Sequence, residues 1–160
     1  MGFWALRVIV APIMKSPGKS ASPKLSYWLL KSEPHVYSFS DLQKDKKTNW
    51  DHVRNFQARN FIRKMAKGDQ AIIYHSGDER AAVGISEVVK EAYPDIDPEG
   101  GDWSQVDLKP VEAFNQPVSL KEIKATEALL DVPLIKQSRL SVMPLSASHF
   151  KLLKKMGGLS

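Results

Sequence analysis

The apolar residues of this chain come in short runs, each closed by turn-forming residues, and that pattern leaves room for little besides a small, strand-rich fold. Tyr27–Lys31 (YWLLK) stops at Ser32-Glu33-Pro34, and Gln70–His75 (QAIIYH) stops at Ser76-Gly77-Asp78. Ala81–Lys90 (AAVGISEVVK) contains Gly84, the mark of a bulge or a close backbone approach, and leads into the acidic, Pro/Gly-rich segment Tyr93–Gly101. Gln105–Phe114 alternates Val106 and Leu108 with Asp107 and Lys109, and Arg139–Met143 is the last short run. Each reads as a strand. Helices sit at the joints. Phe56–Lys67 places Ala58, Phe61, Ile62, Met65 and Ala66 on one face, with Asn55 as N-cap and Gly68 as its left-handed stop. Ser119-Leu120-Lys121-Glu122 is a capping box opening a short helix, and Ala147–Met156 closes the chain ahead of Gly157-Gly158. Short strands with helices between them predict an α+β chain, with a small mixed β-barrel and peripheral helices as the natural architecture.

Residues 1–24 read differently. Gly2–Met14 is apolar but interrupted by Arg7 and Pro12, and Lys15–Lys24 is a Ser/Pro/Gly/Lys linker. The expectation is a flexible leader or linker over 1–24 and one domain over 25–160. No apolar run approaches the roughly 20 residues of a spanning helix, so no membrane partner is expected. With no cysteine, a disulfide scaffold, a thiolate metal site and a cysteine nucleophile are all excluded. The four histidines, at 35, 52, 75 and 149, show no metal-ligand spacing, and no phosphate-cradling glycine loop or nucleophile elbow occurs. The chain is therefore expected to carry no metal, no cofactor and no catalytic residues. A monomer in an intracellular setting is expected, cytoplasmic in a bacterium and nuclear in a eukaryote.

The net charge of +5 is unevenly spread along the chain. Residues 31–67 hold nine Lys/Arg against four Asp/Glu, residues 78–131 five against thirteen, and residues 132–160 five against none. Two basic segments flanking an acidic one would give a one-sided positive face if they fold together, the footprint of a polyanion partner. Charges mixed in space are the plainer alternative.

Five pieces of sequence, in order, carry a resemblance. They are Tyr27–Pro34 with Tyr37–Leu42 (YSFSDL), Trp50–Asn60 (WDHVRNFQARN), Gly68-Asp69 with Tyr74–Ser76 and Val83–Ile85, Tyr93–Asp95 with Trp103 and Val106-Asp107, and Ser138–Val142 (SRLSV). Together, from Tyr27 to about Met156, they resemble the EVE domain family of the PUA-like superfamily, and are similar to the thymocyte nuclear protein group. The resemblance implies a PUA-like barrel, related in shape to YTH and ASCH domains, and recognition of a modified base in DNA or RNA.

Reading one base requires unstacking it, covering its faces with aromatic rings and bonding its edge with groups that donate and accept. The matching pieces supply both kinds. Trp28, Trp50 and Tyr74 are candidates for a cage, with Lys31, Ser32, Glu33, Asn55, Gln57, His75 and Ser76 at its rim. Each has a plainer role as well. Trp28 and Tyr74 fit a core, Ser32 and Glu33 a turn, Asn55 a helix cap, and His75 a satisfied core histidine. Arg54, Arg59, Arg63, Lys64 and Arg139 are candidates for phosphate contacts, or for a solvated surface. A hydrolase of ASCH type, using Lys31 and Glu33, is one alternative function, and a protein-interaction barrel is another.

Overall fold

A computed structural model describes residues 24–160, so the expected leader lies, apart from Lys24, outside the described residues. Among the described residues, six strands form one mixed sheet: β1 (Tyr27–Ser32), β2 (Thr48–Trp50), β3 (Gln70–His75), β4 (Ala81–Pro94), β5 (Ser104–Ser119) and β6 (Val142–Leu145). Their order across the sheet is β2-β5-β4-β3-β1-β6. Only β1 with β3 is parallel; the other ladders are antiparallel. β1 and β3 lie in the middle of the sheet, and Leu29, Leu30, Ile72 and Ile73 are almost fully buried there. The expected α+β class is found, with one six-stranded sheet, open in its strand order, whose long β4–β5 ladder changes register four times. Such shifts bend a ladder and increase its twist.

The helices are α1 (Phe39–Asp45), α2 (Phe56–Lys64), α3 (Leu120–Lys124), α4 (Pro133–Lys136) and α5 (Ala147–Met156). α1 is opened by a capping box in which Ser38 and Asp41 satisfy each other's amides. Asn55 caps α2 as its sequence suggests, accepting from the Ala58 amide at 2.9 Å. α2 ends at Lys64 rather than Lys67, because Met65 turns extended (ψ 136°) to drop into the core. Gly84 is a close approach: a Cβ there would stand 2.6 Å from the Phe39 ring.

Three strand expectations shift. β4 runs on to Pro94 and β5 to Ser119, since ladder pairing continues past the apolar alternation. The last strand is Val142–Leu145, paired with β1, while Arg139 sits exposed in the preceding turn. Trp50, a cage candidate in a stretch not read as a strand, lies in β2 opposite Val106 and is 9% exposed.

Candidate functional site

The C-terminal end of β1, the approach to α1, and β2 with the residues after it enclose a cleft of about 540 Å³. Lys31 and Ser32 come from β1, Val36 and Tyr37 from the turn before α1, Thr48–Trp50 from β2, and Asp51–Val53 from the loop beyond; Ser141 lies opposite. Tyr37 is fixed because it precedes the capping-box serine, and its hydroxyl donates to Asp45 at 2.8 Å. Burial pushes the Tyr37 phenol up, so it stays protonated and keeps donating. The rings of Tyr37 and Trp50 meet edge-on, 6.4 Å apart at 82°. Two aromatic rings at right angles therefore border a space rimmed by an amine, hydroxyls, an amide and a carboxylate.

Lys31 is half-buried, and burial lowers its pKa. Its Nζ donates to the Ser138 carbonyl at 2.8 Å and stands 6.0 Å from the centre of the Tyr74 ring. No carboxylate pairs with it among the described residues. On the far side of the Ser138–Ser141 turn is a second cleft, of about 340 Å³. Asn55, Gln57, Lys136 and Arg139 are among its lining residues.

The loop leading out of β2 is pinned by one carboxylate. Asp95, nearly buried, accepts from the His52 amide at 2.9 Å and from the Arg54 guanidinium at 2.9 Å. Burial alone would raise the Asp95 pKa, but these two donors outweigh it and hold the carboxyl below its ordinary range. His52 takes a left-handed backbone conformation (φ 62°), unusual outside glycine, and the hydrogen bond its amide donates to Asp95 holds it there.

The sequence candidates divide accordingly. Lys31, Ser32 and Trp50 meet in the first cleft, and Asn55, Gln57 and Arg139 meet in the second. Trp28 lines neither. It is 5% exposed, packed on Phe61, and donates its indole N–H to buried Asp69 at 3.0 Å. Tyr74 is also buried in the core. His75 accepts the Phe39 amide on Nε2 at 3.1 Å and meets Glu79 through Nδ1 at 2.9 Å, tying β3 to α1. Glu33 is exposed outside the cleft, 3.9 Å from His35, and Ser76 donates its amide to the Ser32 carbonyl.

Three of the expected phosphate ligands are occupied. Arg54 bonds Asp95 and Asp97, Arg59 bonds the Asp102 carbonyl, and Arg63 bonds Asp102 and Ser104. The acidic loop folds back onto the basic helix, so charge segregated in sequence is partly neutralised in space. Lys64 stays exposed, 5.9 Å from the Phe61 ring centre. Sequence reasoning passed over Tyr37, Asn49 and Asp51 as site residues. The signal for Tyr37 was its place directly before the Ser38-x-x-Asp41 capping box; for Asn49 and Asp51 it was only their position beside Trp50.

The EVE domain model matches residues 26–156. Thymocyte nuclear protein 1 from Gallus gallus is 37% identical, over 84% of this chain and 70% of that protein. A hypothetical protein from Leishmania major has a similar structure, with a TM-score of 0.81 at 39% identity, over 84% of this chain and 96% of that one. The human THYN1 protein, solved in complex with DNA containing 5-methylcytosine, gives a TM-score of 0.76 at 34% identity, over 84% of this chain and 99% of that one. An ASCH structure from Zymomonas mobilis, 11% identical with a TM-score of 0.53 over 81% of this chain and 94% of that one, shares the fold alone.

Proposed function

This chain belongs to the EVE domain family, and from that premise we propose that it is a nucleic-acid reader holding one modified base in the cleft between β1 and β2. The observation that carries the reading is the pair of rings at right angles, Tyr37 and Trp50, in a cleft whose remaining wall is polar. A stacked base gains about 1–3 kcal/mol from an aromatic face. Its edge is read by Lys31 as donor and by Asp51, Ser32 and Asn49 as acceptors, since the Ser32 hydroxyl already donates to the Tyr37 carbonyl and the Asn49 amide to Asp51 and Gln105. A volume of about 540 Å³ suits a small ligand, and Val36 and Val53 offer apolar contact to a methyl group. The bent sheet is read as the PUA-like barrel that the family resemblance implies. Nuclear placement is the reading that the relatives' name supports.

Because 5-methylcytosine is the modification in the human complex, it is the first to test. Oligonucleotides of one sequence, carrying cytosine or 5-methylcytosine, are titrated in fluorescence anisotropy. The methylated strand should bind more tightly, and Tyr37→Ala should weaken it by about 5–150-fold. Trp50→Phe reports on the second wall without opening the core. Equal binding of both strands, in single-stranded and duplex form, argues against reading of this modification. The same incubations analysed by mass address the hydrolase alternative. Glu33 stands outside the cleft, so the Lys31/Glu33 pair that such an enzyme would use is not assembled. A product that vanishes with Lys31→Ala would overturn the reader.

A further inference from the structure

Phe56 is a large apolar side chain held out in water, 65% exposed, at the first position of α2. Single exposed apolar residues are ordinary, but this one is built into a stack. Its ring lies 5.2 Å from that of Trp103 with 16° between their planes. The Arg59 guanidinium stands 5.0 Å from the Phe56 centroid, and that of Arg54 stands 5.3 Å from the Trp103 centroid. Both arginines are tied to the acidic loop, Arg54 through Asp95 and Asp97 and Arg59 through the Asp102 carbonyl. The stack is therefore held by groups that are themselves tied to the acidic loop. Phe56 is stacked on the indole and flanked by the Arg59 guanidinium, yet keeps 65% of its surface in water, so part of its ring stays open to a partner.

The location of that exposed ring matters. Asn55 and Gln57, its neighbours in sequence, line the second cleft with Lys136 and Arg139, and Val53 reaches the first cleft. Drawing a base out of its stack leaves the faces of adjacent bases uncovered, and a protein that supplies an apolar face there offsets part of the unstacking cost. We propose that Phe56, backed by Trp103, is a second stacking platform that receives a nucleobase adjacent to the one held in the first cleft. The proposal rests on the base-reader reading above. The platform's surroundings favour a nucleic acid over a protein partner. Lys136 and Arg139 meet no carboxylate among the described residues, and residues 132–160 contain no acid, so the second cleft presents cations to a phosphate.

The test separates a lone base from a base with neighbours. Wild type and Phe56→Ala are titrated with the 5-methylcytosine nucleoside alone, and with a short single strand carrying that base between two others. The nucleoside should bind both proteins equally, while the strand should bind Phe56→Ala about 5–150-fold more weakly. Phe56→Tyr should restore the strand affinity and Phe56→Leu should not. 2-Aminopurine placed beside the modified base should be quenched by wild type and less so by Phe56→Ala. Equal strand affinity for wild type and Phe56→Ala overturns the platform and leaves the reader intact. Full rescue by Phe56→Leu, or loss of nucleoside binding in a Phe56→Ala protein with an unchanged circular dichroism spectrum, also overturns it. A wild type that binds neither probe overturns the reader, and the platform with it.

Discussion

Asp69 shows how a single residue can withdraw another from function. It is 2% exposed and accepts from the Trp28 indole, the Ser26 amide and the Ala66 amide. Those bonds anchor Trp28 in the core, where its ring closes the space between β1 and α2 instead of offering a face to a ligand. Lys31, three residues on, is the opposite case, an amine held at a cleft with no carboxylate beside it. Burial lowers its pKa, which gives two pH effects of opposite sign. Folding is opposed by the buried ammonium below the lowered pKa, and that opposition fades as pH rises toward the ordinary lysine value of about 10.4. Binding that uses the ammonium as a donor should weaken over the same rise. Affinity for the modified strand should therefore fall at a lower pH than an unperturbed lysine would dictate. Lys31→Arg, which stays charged, should flatten the alkaline limb; an unchanged profile would remove Lys31 from the contact.

At the scale of elements, the cleft depends on α1 lying close against the sheet. Phe39, the first residue of α1, sets its ring over Gly84 of β4 and donates its amide to His75 of β3. A methyl group at position 84 would fall 2.6–2.8 Å from three ring atoms of Phe39, well inside contact distance. Phe39 is buried, so its ring has little room to retreat. Gly84→Ala should cost about 1–3 kcal/mol in a urea titration, the usual cost of overpacking. Strand binding should weaken as well, because Tyr37 lines the cleft two residues before Phe39 and moves with it. A variant as stable as wild type would mean that α1 yields easily, and Tyr37 would then not be a fixed wall.

For the whole molecule, the decisive fact is that an acidic loop folds over a basic helix. Arg54, Arg59 and Arg63 are tied to Asp95, Asp97 and Asp102, leaving Lys31, Lys136 and Arg139 as the cleft-lining cations without a carboxylate partner among the described residues. With so few free charges, log affinity for a single strand should fall against log salt with a slope no steeper than about −3. Arg139→Ala should make that slope shallower by about 0.7, the share of one phosphate contact, whereas Arg63→Ala should lower stability and leave the slope alone. A steep wild-type slope that Arg63→Ala reduces would show that the acidic loop lifts away on binding.

What the sequence determined by itself was local. Five of the six strands, the Asn55 and Ser119 caps and the tight approach at Gly84 were legible because periodicity, capping and close approach each leave a mark within a few neighbouring residues. The motifs also carried the family and placed Lys31, Ser32 and Trp50 among the candidates. What only the tertiary structure decided was which candidates share a space. Trp28 and Trp50 are both buried tryptophans in strands, yet α2 covers Trp28 on β1, while Trp50 on β2 still lines a cleft. Arg54, Arg59 and Arg63 resemble phosphate ligands until partners 39 to 43 residues away occupy them. Exposure and charge pairing are set by contacts between distant segments, and no local pattern in a chain records which distant segment will arrive.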